Sequence, residues 1–325
     1  MWSAEPHARA DADRGAAGPW LSVVVPLFNE EGSLPELHRR LGAVLDALPE
    51  SGEIVFVNDG SIDRSAALLE EIQASDPRVT LVDLAYNAGQ HAAVLAGFSI
   101  ARGDIVMTLD ADLQNPPEEI PKLLEKIRDG FEVVGGIRQR RKDPLPRKAL
   151  TALARAVTGG GSDYGCMLRA YRRDVVQRIL RCRERSLFIP ALAATLARRV
   201  VEVPVAHDER RFGGSRYSAL RLMRLGFDWV TAFSVLPIQI VSVFGILTAV
   251  AGLVFGFGLF IRRLYVGPEV EGVFTLFAIL FIFLGAVFVA IGVVGEYVAR
   301  IYLEVRQRPL YMIESVRRGS RTRSR

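Results

Sequence analysis

The sequence predicts a mostly parallel, doubly wound α/β domain followed by two transmembrane helices. Three observations predict it. Short β-rich runs alternate with helical stretches from Trp20 to Gly135, the spacing of parallel strands joined by crossover helices. The polar clusters Asn29-Glu30, Asn58-Asp59 and Asp110 with Asp112 each stand just after a strand-like run. No charge occurs between Val230 and Ile261 or between Gly272 and Gly295, and each run exceeds the roughly 20 residues that span a bilayer.

Taken in order, residues 21–25 form a buried strand, followed by a turn over 26–29 and a helix over 34–48. The second strand, 53–57, stops at Asn58-Asp59-Gly60-Ser61, and Asp63 is the expected N-cap of the next helix. A third strand over 79–84 leads through Asn87-Ala88-Gly89-Gln90-His91 into a helix over 92–101. A fourth strand, 104–109, ends at Asp110-Ala111-Asp112; Pro116-Pro117 then break the chain before a helix over 118–128. The fifth strand spans 131–135, and beyond Arg138 the pattern is less regular. Two stretches there, 147–157 and 217–229, are amphipathic; the second runs into the first apolar span and is expected to lie along the bilayer surface. The expected boundaries are a disordered tail at 1–19, the α/β domain at 20–215, an interfacial helix at 216–232, spans at 233–263 and 272–298, and a basic tail at 299–325.

Charged residues make up 24% of the chain although half of it is apolar, which fits a soluble part joined to a membrane part. The first 18 residues lack an apolar core segment and do not read as a secretory signal. Arginines dominate the C-terminal tail, so the positive-inside tendency places it in the cytoplasm; two spans then put the N-terminal domain on the same side. The net charge of +5 is explained by basic residues flanking the spans, facing anionic headgroups, rather than by nucleic acid. Cys166 and Cys182 are the only cysteines and read as free thiols, without the ligand density of a zinc site.

Asp110-Ala111-Asp112-Leu113-Gln114 is the sharpest chemical signal. Two carboxylates one residue apart at a strand end can share Mg²⁺ or Mn²⁺ with a diphosphate. Acid pairs are also common turn residues, and the position after a strand of an α/β domain is what favours a site, because such sheets bind ligands beyond the carboxyl ends of their strands. Asp59 can accept a hydrogen bond from a nucleobase or simply close an Asx turn. Neither a G-x-G-x-x-G after the first strand nor a G-x-x-x-x-G-K-[ST] is present, which disfavours dinucleotide and NTPase sites. A basic group, Arg138, Arg140, Arg141, Arg147, Lys148, Arg169, Arg210, Arg211 and Arg216, suits an acceptor bearing a phosphate.

Val25-Pro26-Leu27-Phe28-Asn29-Glu30, Asn58-Asp59-Gly60-Ser61 and Asp110-Ala111-Asp112-Leu113-Gln114 resemble the GT-A-fold glycosyltransferases of family 2. With two C-terminal spans, the pattern resembles the polyisoprenyl-phosphate glycosyltransferases. Further stretches are similar to the undecaprenyl-phosphate 4-deoxy-4-formamido-L-arabinose transferases: Asn87 to His91, Asp112 to Pro121, Asp163 to Arg173, Glu184-Arg185-Ser186 and Phe188-Ile189-Pro190.

The resemblance implies transfer from a UDP-sugar to undecaprenyl phosphate at the cytoplasmic face of a bacterial inner membrane, for envelope glycan or lipopolysaccharide modification. It implies that Pro26, Asn29, Glu30 and Asp59 hold uridine and that Asp110 faces the ribose and diphosphate. Asp112, Gln114 and Asp110 would ligate the metal. Arg138, Arg147, Arg210 and Ser215 would meet the acceptor phosphate, and Asp163 would stand near the sugar. Two departures are visible: Asn58 stands where an aspartate is commoner, and the segment between Lys148 and Asp163 is shorter. The alternatives are transfer of glucose or another hexose, a processive polysaccharide synthase, and an inert membrane scaffold. The synthases carry a Gln-x-x-Arg-Trp motif, which the three tryptophans here do not provide. Glycines in both spans are compatible with close helix packing and a homo-oligomer.

Overall fold

The structure, a computed structural model, describes residues 18–138, 166–182, 188–208, 236–266, 273–306 and 308–319. The described part begins with β1 (Leu21–Leu27), α1 (Leu34–Ala47), β2 (Gly52–Asn58), α2 (Ser65–Ser75), β3 (Val79–Leu84), α3 (Gln90–Ile100) and β4 (Ile105–Thr108). A 3₁₀ turn (Pro117–Glu119) precedes α4 (Ile120–Arg128) and β5 (Val133–Arg138). Then follow β6 (Arg169–Arg172), α5 (Arg173–Arg181), α6 (Ile189–Leu196), β7 (Val200–Val205), α7 (Leu236–Val266), α8 (Val273–Val305) and β8 (Ile313–Arg318). Contacts divide the chain into two units, one holding the sheet with its helices and the C-terminal strand, the other the two long helices.

One sheet of order β7-β5-β6-β4-β1-β2-β3-β8 organises the first unit. β4, β1, β2 and β3 run parallel, while β6 is antiparallel to both neighbours and β8 is antiparallel to β3. β1 is buried along its whole length, as a strand covered on both faces must be. Leu34, Leu37, Leu41, Val44 and Leu45 line one stripe of α1, and Ile120, Leu123, Leu124 and Ile127 one stripe of α4. With Leu69 of α2 they pack on the sheet face that carries Val23, Val25, Phe56 and Leu81. The other face, with Val24, Val55, Val57 and Val82, is covered by α3, α5 and α6.

Helix α3 lies very close to the sheet: a Cβ on Gly97 would stand 2.2 Å from Val24 Cγ1. That approach leaves room for no side chain and lets Ala93, Ala96 and Phe98 bury against the strands. The expected doubly wound sheet is therefore present, with β6 antiparallel inside it and β8 antiparallel at one edge.

Several boundaries differ from expectation for local reasons. Pro26 and Leu27 belong to β1, paired in register with Val57 and Asn58, because a parallel neighbour extends the strand beyond its apolar core. Arg64 rather than Asp63 precedes the first residue of α2, yet Asp63 Oδ1 still accepts the Ser65 N–H at 2.9 Å. The irregular region past Arg138 contains β6, α5, α6 and β7. Within the expected basic tail, Ile313–Arg318 form a strand.

In the second unit, α7 and α8 carry the apolar stretches Ile238–Gly258 and Ile279–Leu303, both long enough to cross a membrane. Of the glycines in the spans, a Cβ on Gly252 would meet Phe283 at 3.4 Å, whereas one on Gly245, Gly256, Gly258, Gly285, Gly292 or Gly295 would meet nothing within 4 Å. Packing between α7 and α8 thus involves Gly252, and the other glycines leave open faces. The amphipathic stretches 147–157 and 217–229 lie outside the described residues.

Candidate active site

The loops after β1, β2, β3 and β4 all leave the sheet at one edge, since the four strands are parallel. The first two loops interlock. Asn29, at φ 56°, donates its N–H to Ser61 Oγ at 3.0 Å and accepts the Ile62 N–H on Oδ1 at 2.8 Å. Glu30 N–H donates to Ser65 Oγ at 2.9 Å. A left-handed asparagine is a mild strain held by surrounding bonds, a frequent feature of ligand-contacting turns. Pro26 lies just inside the strand, so its ring is fixed by the sheet rather than by the turn.

Asp59 leaves β2 with only 3% of its surface exposed. Its Oδ1 accepts the Ala88 N–H at 2.7 Å and its Oδ2 the Gly89 N–H at 2.9 Å. Burial pushes its carboxyl above the usual range, and these two backbone donors oppose that shift. The structure therefore gives Asp59 a definite task, which is to hold the loop that starts α3. Gly89, at φ 92°, makes the turn into that helix.

Asp110 follows β4. Gln90 Nε2 donates to its Oδ1 at 2.7 Å and Asn115 Nδ2 to its Oδ2 at 3.4 Å. Burial first, then the charges of Asp112 and Glu30, push the Asp110 carboxyl up to about 7, while Arg138 and the Gln90 hydrogen bond pull the other way. The charges of Glu30, Asp112 and Arg138 are thus all felt at the Asp110 carboxyl. Asp112 Oδ1 accepts the Gln114 N–H at 3.1 Å, and Leu113 between them sits at φ 62°, an unusual conformation for a branched side chain. The Gln114 carbonyl accepts the Asp208 N–H at 2.9 Å, so the segment leaving β7 reaches the acidic loop.

Among the described residues no group of three or more His, Cys, Asp or Glu side chains is arranged to hold a metal by itself. Mg²⁺ and Mn²⁺ are commonly bound through one or two carboxylates with substrate phosphates supplying further oxygens. An acid pair in which burial first, and the neighbouring carboxylates second, raise one pKa to about 7 suits that shared mode.

Arg147, Asp163, Arg210 and Ser215 lie outside the described residues. Arg169, counted among the candidate phosphate-binding arginines, is 2% exposed in β6 with Nε donating to the Cys166 carbonyl at 3.0 Å; it is an internal residue, because β6 lies inside the sheet. Sequence reasoning did not single out Gln90 and Asn115 as partners of Asp110. Gln90 belongs to the Asn87-to-His91 motif, but only the packing of α3 over β1 and β2 brings its amide to Asp110. His91, next to it, is held neutral by burial, with a pKa lowered to about 4, and its ring stands edge-on to Phe188 at 5.2 Å.

Residues 22–180 match the profile of Glycosyl transferase family 2. The chain is 50% identical over 312 residues to an undecaprenyl-phosphate 4-deoxy-4-formamido-L-arabinose transferase of Klebsiella pneumoniae (strain 342), covering 94% of this chain and 95% of the relative. A transferase of the same name from Edwardsiella ictaluri (strain 93-146) is 50% identical over 309 residues, covering 93% and 95%. Among solved structures, a glucosyl-3-phosphoglycerate synthase from Mycobacterium tuberculosis in complex with Mn²⁺, UDP-glucose and phosphoglyceric acid superposes with a TM-score of 0.50 at 20% identity, covering 71% of this chain and 83% of that one. That likeness concerns the fold.

Proposed function

The chain belongs to glycosyl transferase family 2, and we propose that it moves the sugar of a UDP-sugar onto undecaprenyl phosphate at a bacterial membrane. The observation that carries this reading is the acid pair Asp110 and Asp112 at the carboxyl end of β4, where the charges of Glu30 and Arg138 are also felt. A soluble domain of this kind joined to two long apolar helices fits a water-soluble donor and a lipid acceptor. The relatives' names favour 4-deoxy-4-formamido-L-arabinose as the sugar. Glucose or another hexose is the second choice.

In the proposed reaction, an ionised phosphate oxygen of the lipid attacks the anomeric carbon. The bond from that carbon to the UDP oxygen breaks, UDP leaves with the electron pair, and the configuration inverts. A polyprenyl phosphate is already largely ionised near neutral pH, so the protein need supply no strong base. Its contribution is orientation and charge. Pro26, Asn29, Glu30 and the loop secured by Asp59 would seat the nucleoside. Asp110, Asp112 and Gln114 would hold Mg²⁺ or Mn²⁺, whose chemistry is to offset negative charge on the departing diphosphate. Arg138, with Arg147, Arg210 and Ser215, would orient the acceptor phosphate, and Asp163 would stand near the sugar.

Connectivity supports a two-span anchor with both ends on one side. β7 precedes the two long helices and β8 follows them, yet both strands belong to one sheet. A sheet does not lie on both sides of a bilayer, so a chain leaving and re-entering it crosses an even number of times. The arginine-rich C-terminus supports the cytoplasmic side.

The test is a panel of radiolabelled UDP-sugars supplied to the purified full chain with undecaprenyl phosphate. A lipid-linked monosaccharide supports the proposal. Polymer would indicate a synthase, and no product from any donor would leave an inert scaffold.

A further inference from the structure

The C-terminal strand reaches into the bonding of the loops assigned to the nucleotide. β8 pairs antiparallel with β3, matching Leu81 with Arg317, Val82 with Val316 and Asp83 with Ser315. Gly319 follows it; a Cβ there would stand 2.6 Å from the Pro77 backbone, and its N–H donates to the Val79 carbonyl at 3.1 Å. On this strand Ser315 Oγ donates to Asp83 Oδ2 at 2.8 Å and an Arg317 guanidinium nitrogen donates to the same oxygen at 2.7 Å. Arg317 also pairs with Glu70 of α2 at 2.6 Å.

The other oxygen of Asp83 faces the nucleotide loops. Asn58 Nδ2 donates to Asp83 Oδ1 at 3.0 Å, and Asn58 Oδ1 accepts the Ser61 N–H at 3.0 Å. Ser61 Oγ in turn accepts the Asn29 N–H at 3.0 Å. The bonds therefore run unbroken from Arg317 and Ser315 through Asp83, Asn58 and Ser61 to Asn29.

Asn58 is the residue that departs from the commoner aspartate, and this chain of bonds explains why an amide suits it. Asn58 must donate on one side and accept on the other, both at a site only 6% exposed. An ionised aspartate has acceptors alone and would set a second carboxylate against Asp83 in a poorly hydrated place. The asparagine and the C-terminal strand are two halves of one arrangement around Asp83.

We propose that β8 is part of the donor site: Arg317, Ser315, Asp83 and Asn58 are positioning residues that fix the loops after β1 and β2 for nucleotide binding. This rests on the proposed assignment of those loops to UDP.

The experiment measures UDP binding, in the presence of Mn²⁺, to the full chain in detergent by titration calorimetry, together with KM for the donor and kcat. Asn58→Asp should weaken UDP by on the order of tenfold or more, the scale of opposed like charges. Adding Asp83→Asn should restore binding, because the swapped pair regenerates every bond with donor and acceptor exchanged. Arg317→Ala and Ser315→Ala should raise KM for the donor proportionally more than they lower kcat, and Arg317→Lys should recover part of the loss.

If Asn58→Asp does not fold, the Ser315 and Arg317 variants carry the same test. Wild-type affinity in all folded variants, or no rescue by Asp83→Asn, overturns the proposal and leaves β8 as a cover for the edge of β3. Failure of the unaltered chain to bind UDP at all would instead refute the nucleotide assignment, and this proposal with it.

Discussion

Gln90 Nε2 stands 2.7 Å from Asp110 Oδ1 and donates to it, joining the first turn of α3 to the end of β4. The contact gives a fixed direction to a carboxylate that burial would otherwise favour as a neutral acid. Replacing Gln90 by Leu removes the donor, and a lost bond to a charged group is worth about 1.5–3 kcal/mol. The donor-saturated turnover rate should fall by about tenfold or more, with Gln90→Asn intermediate, as read by initial rates of lipid-linked product.

Asp112→Asn should abolish turnover with little change in fold. Asp112 is bonded to its own loop through the Gln114 N–H, a bond that the asparagine oxygen can still accept. Circular dichroism and thermal melting should therefore match the unaltered chain while product formation is lost. Wild-type activity of this variant in metal-free buffer would disprove the cation's role.

The raised pKa of Asp110, about 7, predicts how divalent-ion binding depends on pH. A carboxylate must be ionised to hold the cation, so Mn²⁺ affinity in the presence of UDP should fall by up to about tenfold per unit below pH 7 and level off above it. The stability consequence has the opposite sign to that of a salt-bridged acid. An acid whose folded pKa lies above its unfolded value contributes fully only below that unfolded value, and its contribution is lost as pH rises through the folded one. Asp110→Asn should thus raise the melting temperature at pH 8, by a gain that shrinks toward pH 4, while destroying activity.

Asp59→Asn should loosen the start of α3. Asparagine has one acceptor oxygen, so one of the Ala88 and Gly89 N–H groups loses its partner. Leaving a buried donor unpaired costs about 1–3 kcal/mol, measurable by chemical denaturation. Hydrogen exchange at Ala88 and Gly89 should speed up, and UDP should bind more weakly.

Gly97→Ala tests the close approach of α3 to the sheet. The added methyl meets Val24 Cγ1 at a distance no real contact tolerates, and overpacking of this kind costs about 1–3 kcal/mol. The melting temperature should drop even though alanine is the better helix former.

The five strands up to Arg138 were legible because each is a short apolar run between turn residues, and the two long helices because their runs lack charge. The acid pair was legible for a related reason: a strand end followed by Asp110-Ala111-Asp112 places both carboxylates at the ligand edge of a parallel sheet. β6 and β7 were harder to see. Arg169-Ala170-Tyr171-Arg172 is rich in charge, and its burial depends on neighbours on both sides.

What the sequence determined alone is local: element order, the apolar spans, and which edge of the sheet carries the polar loops. Tertiary structure decided the partners. Nothing in the period of residues 313–318 says that they close the sheet against β3, since an edge strand carrying Glu314, Arg317 and Arg318 reads equally well as a solvated tail. Gln90 meets Asp110 because α3 packs on the sheet, and Asn58 meets Asp83 because β2 and β3 pair in register. A side-chain hydrogen bond has a reach of about 3 Å, so such pairings exist only once distant parts of the chain have been brought together.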